Sequence, residues 1–286
     1  MRMRRIVFLN GDYLPADQAK ISIFDRAVNF GDAIYEVAGV LDGKLVDFEH
    51  HMQRYFNSLE KMEIESPLEQ RQILETFRRL IDLNRLDEGL VYMQVTRGVA
   101  ERDFLWPAAI EPTVFMFTQP KASIENQAAE TGVTLASGTD IRWARRDIKS
   151  VNLLAQVLAK KAAAEAGAYE ALMVDADGYV TECGSTSFFM VTDDSILTRP
   201  LSNDILPGVT RRAVVALCKE HDLNLREDRF TLQQALDADE AFISGASSYV
   251  LPVVKIDQRQ IGGGKPGKLT RDLRQIYIDH ARASLT

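Results

Sequence analysis

Apolar residues at the start of the chain come in short runs broken by turn formers. Ile6–Leu9 ends at Asn10-Gly11, and Gly39–Leu41 meets Lys44–Asp47 across Asp42-Gly43. Asn-Gly and Asp-Gly supply the positive φ that tight reversals need, so both places are predicted hairpins. The period then changes: Met52, Tyr55, Phe56, Leu59 and Met62 recur at helical spacing, predicting a helix over Phe48–Met62, and the pattern repeats over Leu68–Leu83. Leu90–Thr96 and Thr113–Thr118 return to strand composition. Gln119–Glu130 is polar, Ala-rich and contains Pro120, so it reads as a linker. Beyond it, Gly132–Trp143 is predicted as strand, Val151–Gly167 as an amphipathic helix, and Ala171–Val191 as short strands punctuated by Asp175-Ala176-Asp177-Gly178. A helix over Thr210–His221, strands over Ala241–Ser244 and Tyr249–Ile256, and a closing helix over Leu269–Ser284 complete the series. The predicted fold class is α+β (mixed α/β), with a smaller α+β domain over 1–118, a linker over 119–130 and a larger mixed domain over 131–286. No internal repeat interrupts this order.

Composition narrows the class of protein. With 46% hydrophobic and 26% charged residues, the chain has the mix of a soluble globular protein that can bury a core. A net charge of -7 argues against a nucleic-acid surface, which normally carries a basic excess. No apolar run has the length of a membrane span, and the basic start Met1–Arg5 leads into only a short apolar stretch, so a cytoplasmic protein is expected. Cys183 and Cys218 are too few for a disulfide framework and fit a reducing compartment. His50, His51, His221 and His280 lack the spacing of a metal site, and no metal is expected.

Several segments combine residues that can do chemistry. Arg142-Trp143-Ala144-Arg145-Arg146-Asp147-Ile148-Lys149-Ser150-Val151-Asn152 sets a lysine at a predicted strand-to-helix junction. A lysine partly removed from water and close to other cations loses its proton more readily and becomes a nucleophilic amine. On composition alone, a solvated basic patch explains the same run and is favoured. Val180-Thr181-Glu182-Cys183-Gly184-Ser185-Thr186-Ser187 carries one carboxylate at a tight turn, which is either an exposed hairpin acid or an anionic partner for a ligand. Ile205-Leu206-Pro207-Gly208-Val209-Thr210-Arg211 opens a helix with free N–H groups, suited to an ordinary cap or to a phosphate. Phe242-Ile243-Ser244-Gly245-Ala246-Ser247-Ser248-Tyr249 is a small-residue loop that lets backbone approach a ligand. Gly262-Gly263-Gly264-Lys265-Pro266-Gly267-Lys268 fits seven positions of a P-loop, but Leu269 stands where Ser or Thr must hold magnesium, so it reads as a turn before the last helix.

Taken together, and nearly end to end, these segments resemble the fold-type IV pyridoxal-phosphate-dependent aminotransferases, most closely those of the D-amino-acid transaminase kind. The resemblance implies pyridoxal 5′-phosphate as cofactor, with Lys149 its Schiff-base lysine and the proton shuttle between substrate α-carbon and cofactor C4′. It assigns Glu182 to the pyridine nitrogen with Arg142 as its partner, and Ser185 to the cofactor lining. Leu206, Gly208, Val209 and Thr210, with Arg54 from His50-His51-Met52-Gln53-Arg54-Tyr55, fall to the phosphate. The loop with Ala246 and Ser247 would touch phosphate and substrate carboxylate. Tyr35 and Arg102 become carboxylate-trap residues beside Phe104, with Arg102 entering from the neighbouring subunit of a homodimer whose active sites lie at or near the subunit interface.

Three departures stand out: Ser187 where the family usually has Asn, Ala246 where it often has a hydroxyl, and Arg102-Asp103-Phe104 where D-amino-acid transaminases typically read Arg-x-His. The implied partners are a small amino donor such as D-alanine and a 2-oxo acid acceptor such as 2-oxoglutarate or pyruvate, with neither nucleic acid nor membrane involved. Phe104 motivates an alternative, an (R)-selective amine transaminase. Branched-chain L-amino-acid transaminase and aminodeoxychorismate lyase share the scaffold and are not separated by the cofactor residues.

Overall fold

The structure is a computed structural model that describes residues 5–286; Met1–Arg4, most of the basic start on which the cytoplasmic expectation drew, lie outside the described residues. Asn10 (φ 46°) and Gly11 (φ 101°) close the first reversal, pairing β1 (Ile6–Leu9) antiparallel with β2 (Asp12–Pro15). A short helix α1 (Arg26–Phe30) follows, with the Asp25 carboxylate accepting from the Ala27 N–H at its start. Next, β3 (Ala33–Leu41) turns through Asp42 (φ 53°) and Gly43 (φ 69°) into β4 (Lys44–Leu45). Two helices, α2 (Phe48–Met62) and α3 (Gln70–Asn84), lead to β5 (Gly89–Thr96) and β6 (Thr113–Pro120). These strands form one sheet in the order β2-β1-β6-β5-β3-β4. Helix α2 lies against β3, and α3 against β1 and β6. Phe48, Met52, Tyr55, Leu59, Ile73, Phe77 and Leu80 from those helices fill a core with Ile34, Ala38, Val91, Met93 and Met116 from the sheet.

The rest of the chain builds a second sheet. Its elements are α4 (Gln127–Thr131), β7 (Val133–Thr139), α5 (Leu154–Glu165), β8 (Glu170–Val174), β9 (Val180–Cys183), β10 (Ser187–Thr192), β11 (Ser195–Thr198), α6 (Val209–Glu220), β12 (Leu225–Glu227), α7 (Leu232–Leu236), β13 (Glu240–Gly245), β14 (Tyr249–Ile256), β15 (Arg259–Gln260) and α8 (Lys268–Ala283). The strand order is β12-β11-β10-β13-β14-β7-β8-β9, with β15 on β14. Its own core joins Leu135, Leu172, Phe188, Phe230, Ile243 and Leu251.

The chain divides into two units. The first holds residues up to Ala122 together with Ile148–Asn152 and Ser284–Thr286, and the second holds Ser123–Asp147 and Leu153–Ala283. Lys149 therefore packs with the first unit. Nor does it sit at a strand-to-helix junction: β7 stops at Thr139 and α5 begins only at Leu154. The Asp140 carboxylate accepts from the Arg142 N–H at 3.1 Å, a local turn that ends the strand. In the predicted linker, Gln119 and Pro120 still pair with β5, and Asn126 caps α4. Strand β3 begins six residues before the predicted Gly39, because Glu36 breaks the apolar run while being buried with its own partners.

Candidate active site

In the first unit, Lys149 is held by its backbone to the edge of β3. The Tyr35 N–H donates to the Lys149 carbonyl at 3.0 Å and the Val151 N–H to that of Ala33 at 3.1 Å, a ladder too short to count as a strand. The Lys149 N–H reaches Ser58 Oγ at 3.3 Å. Ile148 and Ser150 on either side are buried, so the segment is pinned while the lysine itself stays half-buried. Its Nζ lies 4.0 Å from the centre of the Tyr35 ring, which stacks on Tyr92. The arginines before it do not form a loose basic patch: within the second unit Arg142 pairs with Asp140 and Glu182, Arg145 with Asp147, and Arg146 with Asp140 and Asp204.

Alternation along β3 sends Glu36 to the opposite face from Tyr35, towards α2. There its carboxylate accepts from Arg54 Nε at 2.9 Å and Nη2 at 2.5 Å, meets His51 Nδ1 at 3.0 Å, and accepts from the Val37 N–H at 2.9 Å. Burial opposes the charge, but Arg54 and His51 outweigh it and hold the Glu36 carboxyl far below the ordinary carboxylate range. Arg54 is thus oriented by an acid that pattern reading passed over. Arg102 and Phe104 lie on the exposed loop after β5. That loop is tied down by buried Arg26, whose Nη1 and Nη2 donate to the carbonyls of Asp103 (2.7 Å) and Phe104 (3.2 Å). Asp32 binds both Arg26 (2.8 Å) and Arg97 (2.7 Å).

In the second unit, Glu182 lies in β9, one residue before its end, and is buried. Its Oε1 accepts from Arg142 Nη1 and from the Leu206 N–H at 3.1 Å. Burial pushes its carboxyl above the usual range, with Arg142 and the Leu206 amide pulling the other way. Arg142 is itself fixed by Asp140, which Thr181 Oγ1 also reaches at 2.7 Å. Asp140 is buried, yet Arg142 and Thr181 hold its pKa down. Ser185 belongs to a triangle: its Oγ donates to Glu170 Oε2 at 2.7 Å, while Lys160 Nζ reaches Glu170 at 2.6 Å and Ser185 at 3.0 Å. The neighbouring Cys183 thiol is buried and pushed well up by that burial and by the Glu170 charge, which makes it unreactive.

Helix α6 begins after Gly208 with no side-chain cap and no acid in its first turn, so no side chain caps the positive end of its dipole at buried Val209 and Thr210. Gly208 is required by close approach: a Cβ there would stand 2.8 Å from Ser187 Oγ. Ser187 pairs across the sheet with Ser244, whose buried hydroxyl has no partner, and the buried hydroxyl of Ser248 has none either. A Cβ on Gly245 would lie 3.4 Å from Ser248 Oγ. Orphaned buried hydroxyls at the end of β13 and in the turn after it, together with an uncapped helix start, are features that a phosphate group would satisfy. Ala246 and Ser247 sit half-buried in the β13–β14 turn, which Arg274 secures by donating to the carbonyls of Ser248 and Val250. The groups described in the second unit therefore fit a phosphorylated pyridine cofactor. They do not fit a nucleotide at Gly262–Lys268, because the Leu269 and Thr270 N–H groups at the start of α8 are already taken by the Glu240 carboxylate at 3.1 and 2.9 Å.

Asp140, Glu170, Lys160, Glu36 and the Asp32–Arg26–Arg97 set were missed by pattern reading. The one available signal was the presence of charged residues inside strand-like runs, as at Glu36 in β3 and Glu170 in β8.

Residues 33–256 match the family profile described as class IV aminotransferase. The chain is 36% identical over 276 residues to the D-alanine aminotransferase of Staphylococcus haemolyticus, covering 95% of this chain and 96% of that one. It is 36% identical over 268 residues to that of Bacillus licheniformis, covering 94% of each. Among solved structures it superposes on the T.th. branched-chain amino acid aminotransferase with pyridoxamine 5′-phosphate at a TM-score of 0.89, with 26% identity and 98% and 97% coverage. The Escherichia coli branched-chain enzyme gives 0.90 at 24% identity, covering 96% of this chain and 94% of its own, a likeness of fold.

Proposed function

The chain belongs to the class IV aminotransferases, and on that premise we propose that it moves an amino group from a D-amino acid, D-alanine foremost, to a 2-oxo acid such as 2-oxoglutarate or pyruvate. The observation that carries this reading is the 36% identity to D-alanine aminotransferases along 95% of the chain. Pyridoxal 5′-phosphate is the cofactor; bound, it supplies an aldehyde for the amino group and a ring that spreads the charge left when the substrate α-carbon loses its proton.

The chain's own residues do the rest. With the cofactor bound, Lys149 Nζ would hold its aldehyde carbon and would be the base that moves the substrate α-proton. Its pinned backbone and the Tyr35 ring at 4.0 Å limit its swing. Glu182 would be the acidic partner of the pyridine nitrogen, while Arg142 and the Leu206 N–H keep its carboxylate aimed. Ser185 lines the cofactor, steadied by Glu170 and Lys160. Gly208, Val209 and Thr210 take the phosphate on their backbone, helped by the Thr210 hydroxyl. The Ser244 and Ser248 hydroxyls lie available where Ala246 offers none. Arg54 adds its charge to the phosphate from the Glu36–His51 mount. Tyr35, Arg102 and Ser247 would face the substrate, with the Phe104 ring packed beside Arg102.

The reading includes the small domain over 1–118, the linker over 119–130 and the cofactor domain over 131–286, apart from the Lys149 segment, which packs with the first unit. It also includes a homodimer in which Arg102 serves the neighbouring subunit. Exposed Ile23, Phe24, Val28, Val99, Phe104 and Leu105 lie on two segments bridged at Asp25–Val99, an apolar surface suited to a second copy. A cytoplasmic setting suits two buried free thiols, and no described helix is long and apolar enough to cross a membrane. One observation favours a second reading, an (R)-amine donor: Phe104 stands 78% exposed where the family has a histidine. A donor panel of D-alanine, L-alanine, L-leucine and (R)-1-phenylethylamine with pyruvate or 2-oxoglutarate tests the proposal. D-alanine is expected to be fastest; a faster L-amino acid or amine refutes it.

A further inference from the structure

The loop that carries Arg102 is built more firmly than an exposed loop needs to be. Arg26 binds the backbone immediately after Arg102 through the carbonyls of Asp103 and Phe104, and its Cζ lies 4.6 Å from the centre of the Phe30 ring. Two residues further on, the Trp106 ring sits 3.8 Å from Arg97 Cζ. Arg97 in turn is fixed by the carbonyls of Met62 (2.7 Å) and Glu63 (2.9 Å) and shares Asp32 with Arg26. The loop is thus anchored at Asp103, Phe104 and Trp106 to a buried Asp with two arginines.

Arg102 itself stands between two rings. Its Cζ is 5.2 Å from the centre of Phe30 and 5.8 Å from that of Phe104, and the rings are 5.6 Å apart at 49°. Both separations are within cation–π range. Arg102 has no acidic partner among the described residues. Ring contacts attract a guanidinium without consuming its N–H donors, so these remain for a planar anion. A carboxylate partner would consume them.

We propose that Phe30 and Phe104 form an aromatic clamp that sets the position of the Arg102 guanidinium, so that Phe104 is a positioning residue for carboxylate-bearing donors. The proposal rests on the reading of Arg102 as the carboxylate-binding residue. It explains how a phenyl ring can stand in the place of a hydrogen-bonding histidine without loss of carboxylate selection: the ring cannot bind the carboxylate, but it holds the group that does. The buried Arg26 supplies the second restraint by fixing the backbone from which Phe104 projects.

The test uses single-turnover bleaching of the holoenzyme's visible band by D-alanine and by D-alaninol, which lacks the carboxylate. Wild type, Phe104→Leu, Phe104→Tyr and Arg102→Ala are compared. Phe104 belongs to neither hydrophobic core, so the protomer should fold with its replacements, and size-exclusion chromatography of each variant checks the assembly. Removing one of two ring contacts is expected to weaken the apparent Kd for D-alanine about three-fold in Phe104→Leu. The maximal rate should not change, nor should the D-alaninol rate constant, and Phe104→Tyr should match wild type. An unchanged D-alanine Kd in Phe104→Leu, or an equal change for D-alaninol, overturns the clamp while Arg102→Ala still raises the D-alanine Kd. If Arg102→Ala leaves that Kd unaltered, or wild type does not react with D-alanine, the underlying reading falls and the clamp with it.

Discussion

Glu36→Gln separates a structural charge pair from a functional one. The Glu36 carboxylate is fully buried and accepts two bonds from Arg54 and one from the Val37 N–H, besides meeting His51 at 3.0 Å. Glutamine keeps the shape but removes the charge and turns one acceptor into a donor, so at least one Arg54 or His51 nitrogen then faces an N–H. Losing one partner of a buried pair costs about 3–5 kcal/mol. The retained amide oxygen still takes one charged bond, worth about 1.5–3 kcal/mol, so a net loss of about 2 kcal/mol is expected. Urea unfolding of the apoenzyme followed by far-UV circular dichroism measures it.

The sign with pH follows from the depressed Glu36 carboxyl. Its contribution is complete above the ordinary glutamate value of about 4.3 and is lost as pH falls towards the lower folded value. The gap between wild type and variant should therefore hold from pH 8 to 5 and narrow in stronger acid. In the same variant Arg54 loses its mount, so pyridoxal phosphate should dissociate faster in equilibrium dialysis against buffer. A stability change below about 1 kcal/mol would refute the energetic argument, since that is the range of an exposed pair. A full loss of stability with unchanged cofactor retention would refute the role of Glu36 in aiming Arg54 at the phosphate.

Lys149→Ala should abolish the visible absorbance of the holoenzyme and lower turnover by at least about a thousand-fold, the scale of losing a general acid–base and a nucleophile together; spectra and rates of the purified variant decide it. Gly208→Ala should loosen the cofactor several-fold in dialysis because its Cβ would meet Ser187 Oγ at 2.8 Å. Adding Ser187→Ala should restore most of the loss, and a double variant no better than the single would remove steric crowding as the cause.

Local pattern and tertiary contact divided the work unevenly. The helical spacing of Met52, Tyr55, Leu59 and Met62 located α2 to the residue, because a face that must bury repeats with the helix period. Asn10-Gly11 and Asp42-Gly43 marked their reversals because few other residues adopt positive φ cheaply. The segments around Lys149, Glu182 and Gly208–Thr210 each consist of a few adjacent residues, so their resemblance to family motifs was visible, and their proposed roles rest on that resemblance. Helix α1, at five residues, is too short to show a period. The groups that aim the motifs were not readable: Glu36 binds Arg54 across 18 positions, Arg142 reaches Glu182 across 40, and Arg26 reaches Phe104 across 78. A bond between residues so far apart depends on how intervening strands reverse and register, and no spacing rule encodes that. Neighbouring residues alone were enough to tell where the chain turns and which short segments resemble the family's motifs. Which charges are buried together, and hence which side chains are held still enough to use, depended on the folded arrangement of segments that the chain keeps far apart.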